Sequence, residues 1–412
     1  MASIKIKFRP SITADKKGSI YYQIIHERKV RKLHTGFHIF PTEWDERRKT
    51  VKSAHNDSAR SILIQTIGER LRQDLDRLNR ICRKFDTTGV FYTADDIISQ
   101  FYRYVQEYTL FNFMKGLISQ LRQNGRIRTS ETYKTTLNSF KKFLSDRSAK
   151  QPNPLQGNDI ILDCLTSEIM ESYECWLHNR GVTPNTVSFY TRILRAVYNR
   201  AVEQEIIENR NPFKHVYTGI DKTIKRALPL PVIRKIKILD LSAYPALDFA
   251  RDMFMLSFYM RGMSFIDMAF LKKSDLRNGY ISYRRHKTGR LLTIKWTGEM
   301  QSILDKYPEN KSVYLLPIIK NTGINERYTY LNAGYKINRN LKKIAELTDI
   351  KIPLTLYVAR HSWASAAKNK GIALSVISEG MGHDSEMTTQ IYLTSLDTSA
   401  VDKANSIILR CL

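Results

Sequence analysis

Cysteine, acidic side chains and long apolar runs are all scarce in this 412-residue chain. Its four cysteines, Cys82, Cys164, Cys175 and Cys411, stand far apart, and no close pair offers the spacing of a zinc site or a redox motif. Disulfides and structural metal are therefore not expected. No apolar run approaches the roughly 20 residues that span a bilayer, and no signal-peptide pattern opens the chain, so the expectation is a soluble, cytoplasmic protein with no membrane partner. Asp and Glu number 40 against 66 Lys and Arg, a formal charge of +26. That excess favours a polyanion, nucleic acid first, because each neutralised phosphate releases counterions. Basicity alone is shared by many unrelated proteins, so it has to be joined to a site.

The length exceeds what one hydrophobic core usually organises, and two or three domains are expected. Residues Ile4–Phe8 alternate apolar and basic side chains up to Pro10, which predicts a half-buried strand. Two further strand-like runs, Ser19–Ile25 and Val30–Ile39, flank a polar turn at Glu27-Arg28-Lys29 and complete a small three-stranded sheet. Residues 1–60 carry 14 basic and 6 acidic side chains, which fits either a solvated sheet face or a DNA-binding one. From Ser58 to Phe85 the residues Ile64, Ile67, Leu71, Leu75, Leu78 and Cys82 recur at helical steps and predict a long connecting helix. A helical unit follows, with Tyr133, Leu137, Phe140 and Leu144 on one stripe. Its last helix is capped at Thr183-Pro184, buries Val187, Tyr190, Leu194, Val197 and Ala201, and leaves Arg192 and Arg195 outside.

Asn-Arg-Asn-Pro punctuation and the cluster Lys222, Lys225 and Arg226 suggest a linker. The expected organisation is thus 1–95, sheet with connecting helix; 96–210, helical domain; 211–227, linker; and 228–412, a mainly helical domain interrupted by a hairpin, Tyr280–Arg285 and Leu291–Trp296, turning at Lys287-Thr288-Gly289.

The informative residues are Thr355-Leu-Tyr-Val-Ala-Arg-His-Ser-Trp-Ala364, then Gly382-His383, then Thr388-Thr-Gln-Ile-Tyr392, with the tyrosine nine residues after the histidine. This joint pattern resembles the tyrosine recombinase, or phage integrase, family, in which an Arg-His-Ser/Thr box is followed by Gly-His and by a nucleophilic tyrosine at that spacing. The Arg-Gly-Met-Ser-Phe-Ile-Asp run from Arg261, the hairpin Tyr-Arg-Arg-His-Lys-Thr-Gly and the Gly-Phe-His-Ile-Phe-Pro-Thr-Glu-Trp44 segment resemble integrases and invertases of Bacteroidetes mobile elements. The resemblance covers nearly the whole chain. It implies a multidomain, mainly α fold with small β-sheets: an N-terminal three-stranded arm-binding domain, a helical SAM-like core-binding domain, and an α+β catalytic domain.

It also implies a chemistry. A phenol titrating near pH 10 is a poor nucleophile until it is activated and held against a phosphodiester. Charge then builds on the non-bridging oxygens, where a planar guanidinium answers it with paired hydrogen bonds. The resemblance assigns Tyr392 as nucleophile and Arg360 to the phosphate. His383 would donate to the same oxygens or manage the tyrosine proton, and Lys287, in the hairpin turn, would protonate the departing 5′ oxygen. A 3′-phosphotyrosine link conserves bond energy, so neither ATP nor a metal is implied. Taken singly, each residue has a plainer explanation: most of the 22 tyrosines should simply pack, and Lys287 is an ordinary exposed turn lysine. His361 is expected to support packing.

Two positions depart from the family pattern. Tyr357 stands where the second box usually has histidine; it can donate a hydrogen bond but brings no positive charge. In the first box, if Asp267 takes the usual glutamate place, Ser264 falls where arginine belongs. Arg261, one helical turn earlier, and Arg285, two residues before Lys287, are the substitutes, with Arg261 preferred because its helix should line the site. The resemblance further implies double-stranded DNA with specific core sites and possibly arm sites, a homotetramer on DNA, possible DNA-bending accessory proteins, and a tail with Val401, Ile407, Ile408 and Leu409 that docks on a neighbour or on its own domain. Two other functions share these features: a type IB topoisomerase-like nicking-closing enzyme, and a catalytically inactive DNA-binding regulator.

Overall fold

The computed structural model describes residues 2–13, 15–52, 58–150, 159–221, 226–320 and 325–393, together with 406 and 409. The chain divides into two compact units, residues 1–221 and 222–412. Among the described residues no helix is long and apolar enough to cross a membrane.

The first unit opens with an antiparallel sheet, β1 (Ser3–Arg9), β2 (Gly18–His26) and β3 (Lys29–Ile39), in that spatial order. The alternation in the sequence is the cause: Ile20, Tyr22 and Ile24 of β2 turn inward while Ser19, Tyr21 and Gln23 stay half-buried on the other face. Glu27 and Arg28 both take positive φ, 48° and 65°, forming the tight turn that joins β2 to β3. A two-strand ribbon, β4 (Trp44–Asp45) and β5 (Thr50–Val51), leads to the long helix α1 (Ser58–Thr88). The expected stripe of α1 packs on the sheet, with Ile64, Ile67, Leu71, Leu78 and Cys82 buried. Helix α2 (Ala94–Glu107) joins this same core through Ile97 and Phe101, so the sheet's hydrophobic core runs past the boundary expected at residue 95.

Helices α3 (Leu110–Gln123), α4 (Ile127–Lys150), α5 (Ser167–Asn179) and α6 (Pro184–Glu203) build a second core in the first unit. It is tied to α1 by a buried charge network that periodicity could not reveal. Arg77 of α1, 1% exposed, donates to Asp163 from Nε at 2.7 Å and Nη2 at 2.5 Å, and also to Asp74. The linker expected at 211–227 is shorter than the sequence suggested. Phe213 and Val216 are buried in the helical core, and Thr191 and Ser188 of α6 donate to the carbonyls of Tyr217 (2.7 Å) and Gly219 (2.5 Å). Those apolar residues and backbone acceptors make the segment part of the domain; Lys222 and Lys225 lie outside the described residues, and Arg226 is exposed.

In the second unit α7 (Leu230–Ile238), α8 (Pro245–Tyr259) and the short α9 (Phe265–Ala269) precede a sheet of β6 (Leu276–Arg277), β7 (Tyr280–Arg284) and β8 (Leu291–Lys295). The hairpin is where the sequence placed it, and the two-residue β6 is an addition too short to show periodicity. Helices α10 (Gly298–Asp305), α11 (Glu326–Leu347), α12 (Leu356–Asn369), α13 (Leu374–Met381) and α14 (Glu386–Leu393) complete it. Its core is centred on the apolar α8, where Met253, Phe254 and Leu256 are fully buried and which packs against α11, α12 and α10.

Candidate active site

The Gly-His dipeptide forms a corner. Helix α13 stops because Gly382 enters the left-handed region at φ 64°, and a Cβ there would meet Leu292 Cδ1 at 2.7 Å. Three successive carbonyls at this corner each accept from a different arginine. Arg360 Nη2 donates to Met381 O at 2.8 Å, Arg285 Nη1 to Gly382 O at 2.6 Å, and Arg290 Nη1 to His383 O at 2.8 Å. The C-terminus of α13 favours such cations, since its final carbonyls lack intrahelical partners.

The imidazole of His383 is buried at 7% exposure and held on both sides. Arg360 Nη2 lies 3.0 Å from Nε2, and Nδ1 lies 2.7 Å from Thr389 Oγ1. A guanidinium only donates, so Nε2 must be the acceptor and Nδ1 carries the proton given to Thr389. The ring is therefore neutral, and its pKa agrees: burial first, then the charges of Arg360, Arg285 and Lys287, push it down to about 4. Thr389 lies on α14, one turn before Tyr392, so this contact fixes the helix that carries the tyrosine. The side chain of Tyr392 itself lies outside the described residues.

Arg360 is placed by a close approach between α12 and the turn after α8. Its Nη1 donates to Gly262 O at 2.6 Å. Gly262, at φ 72°, could carry no Cβ, which would stand 2.7 Å from Arg360 Cα. The same turn corrects one expectation about Arg261. Helix α8 ends at Tyr259, Arg261 takes a positive φ of 57°, and Ser264 is the N-cap of α9, so Arg261 and Ser264 do not share a helix face. Among the described residues Arg261 contacts the hairpin by a long hydrogen bond from Nη1 to Thr293 O, 3.4 Å. Arg285 is buried at the Gly382 corner, but β7 has already ended at Arg284, so it and Lys287 lie in the turn rather than on one strand face. Ser264 donates to Asp267 Oδ2 at 2.6 Å, and Asp267 Oδ1 accepts from the backbone N–H of His286 at 2.8 Å, bracing the hairpin turn.

Lys287 is exposed in that turn. Tyr357 sits at the start of α12, 57% exposed, with its ring edge-on to buried His361 at 4.6 Å. Sequence reasoning overlooked Arg290, Thr389 and the brace from Asp267 to His286. Arg290 closes the Lys-Thr-Gly-Arg turn and Thr389 sits within the Thr-Thr-Gln-Ile-Tyr segment, but a donor aimed at a backbone carbonyl leaves no pattern in a sequence. Of the expected tail, Val401, Ile407 and Ile408 lie outside the described residues, and Leu409 is 58% exposed.

Residues 8–98 match the arm DNA-binding domain, 109–219 the phage integrase SAM-like domain, and 237–399 the phage integrase family. The tyrosine recombinase XerC of Roseiflexus sp. (strain RS-1) is 25% identical over 288 residues, spanning 68% of this chain and 87% of that protein. The XerD recombinase of Listeria innocua is 24% identical over 279 residues, 64% and 86% of the two chains. Among solved structures, a lambda integrase (75–356) dimer bound to a core site superimposes with a TM-score of 0.53 at 15% identity, covering 69% of this chain and 95% of that one. The Tn1549 transposon integrase in complex with a circular intermediate DNA gives 0.52 at 16% identity, covering 74% and 99%. This chain belongs to the phage integrase family of tyrosine recombinases, the site-specific enzymes that break and rejoin DNA.

Proposed function

We propose that Tyr392 attacks a DNA phosphodiester and is left carrying a 3′-phosphotyrosine. The observation that supports this most directly is the hydrogen-bonded chain from Arg360 through His383 to Thr389, which ends one helical turn before Tyr392. The phenolic oxygen bonds to phosphorus as the bond to the 5′ oxygen breaks, and Lys287 gives that oxygen its proton. Arg360 neutralises charge on the non-bridging oxygens. His383, accepting from Arg360 at Nε2 and donating to Thr389 from Nδ1, holds the arginine and the tyrosine-bearing helix in register. Tyr357, three residues before Arg360 on α12, would add a neutral hydrogen bond.

For the missing first arginine the geometry favours Arg285 over Arg261. Arg285 is buried at the corner and its charge acts on His383, whereas among the described residues Arg261 makes one hydrogen bond, a long one to Thr293 O. Reversal of the first step by a new 5′ hydroxyl rejoins the strand, so no energy source is consumed. Integration, excision or inversion follows from where the two sites lie. The reading includes core-site duplex contacted by the SAM-like domain and by the catalytic domain, arm sites bound by the N-terminal sheet, four protomers on two sites, accessory DNA-bending proteins, and action in the bacterial cytoplasm at the nucleoid.

A nicked suicide duplex tests it. The protein should form a denaturation-resistant adduct that Tyr392→Phe abolishes; absence of any adduct with a cognate site would leave a DNA-binding regulator. Exchange between two such sites, against relaxation of one plasmid, separates a recombinase from a topoisomerase.

A further inference from the structure

The turn that carries Lys287 is fastened to the His383 corner at both ends. On the β7 side Arg285 Nη1 holds Gly382 O at 2.6 Å, and on the β8 side Arg290 Nη1 holds His383 O at 2.8 Å. The backbone closes between these anchors, with Arg285 N–H donating to Arg290 O at 2.9 Å and Gly289 N–H to Arg285 O at 2.7 Å. Among the described residues no hydrogen bond or ion pair holds the Lys287 ammonium itself, so the turn's two legs decide where it goes. A turn held at one point can pivot about that bond. A second charge-assisted bond, from guanidinium to carbonyl at a helix C-terminus, fixes its direction.

We propose that Arg290 is a positioning residue for the strand-cleavage step: with Arg285 it forms a two-point latch that presents Lys287 to the departing 5′ oxygen. The proposal rests on the reading of Lys287 as the proton donor given above. When the latch is closed, the lysine proton passes to the 5′ oxygen as the phosphorus bond to it breaks. When the β8 leg is released, the turn swings and the leaving oxygen departs as an unprotonated alkoxide, which is slow.

A substrate that leaves without a proton isolates this role. Two nicked suicide duplexes would be compared, one with the ordinary 5′ bridging oxygen and one with sulfur in its place, because a thiolate leaves readily unprotonated. In the full chain, Arg290→Ala should slow cleavage of the oxygen substrate by roughly 10- to 100-fold, a part of what general acids contribute. It should cleave the sulfur substrate near the wild-type rate with unchanged duplex binding, and Lys287→Ala should behave the same way. Wild-type cleavage of the oxygen substrate by Arg290→Ala overturns the latch. So does slow cleavage of both substrates by Arg290→Ala while sulfur rescues Lys287→Ala, an outcome that leaves the lysine's role intact. Failure of sulfur to rescue Lys287→Ala removes the proton-donor reading and the latch with it. If the alanine variant does not fold, Arg290→Gln, which keeps much of the stem, carries the same comparison.

Discussion

Arg360 donates through Nη2 to the unprotonated Nε2 of His383 across 3.0 Å. One arginine thereby fixes the tautomer of the histidine while its Nη1 remains tied to Gly262 O. The two residues form one unit, and a change in either should disturb the placement of the other.

The first expectation concerns the arginine absent at Ser264. Arg285→Ala should lower suicide-substrate cleavage by at least about 100-fold, the scale of losing a buried transition-state donor, while duplex binding by gel shift is retained. Arg261→Ala should cost less than about 10-fold. The opposite ranking would assign the role to Arg261.

His383 makes stability depend on pH with a definite sign. Its folded pKa, about 4, lies below the unfolded value of 6.5, so between these values the unfolded chain binds more protons. The stabilisation is present above pH 6.5 and is lost as pH falls toward 4, by on the order of 2–3 kcal/mol. Urea unfolding at pH 7 and pH 4.5 should show a smaller loss in His383→Gln than in the wild type; equal losses would mean the ring is not held neutral.

Gly262→Ala sets a Cβ 2.7 Å from Arg360 Cα at a backbone φ of 72°. Left-handed strain and overpacking together predict a destabilisation of roughly 2–4 kcal/mol. A lowered Tm accompanied by loss of the covalent adduct is expected, because the displaced backbone carries Arg360.

Asp163→Ala strips the fully buried Arg77 of its main partner in the first unit. Removing one member of such a pair typically costs roughly 3–5 kcal/mol. Denaturant unfolding should show that loss, and an unchanged midpoint would mean that water or Asp74 satisfies Arg77 instead.

Strand alternation at Ile4–Phe8 and the apolar stripe of α6 were legible because local periodicity produces them directly, each residue choosing a face by its own hydrophobicity. The break between Tyr259 and Phe265 was not legible: Met260, Arg261 and Met263 suit a helix, and only the approach of α12 against Gly262 requires a turn there. Arg77 likewise reads as a surface arginine of α1 until Asp163, far along the chain, is brought against it.

The family, the N-terminal strands, the long connecting helix, the stripe of α6, the hairpin and the residues proposed for phosphoryl transfer were legible from short-range pattern in the amino-acid order. Which arginine meets which carbonyl, and which tautomer His383 holds, emerged only when distant segments closed on one corner. Hydrophobicity acts on each residue alone, whereas a directed hydrogen bond needs both partners in place.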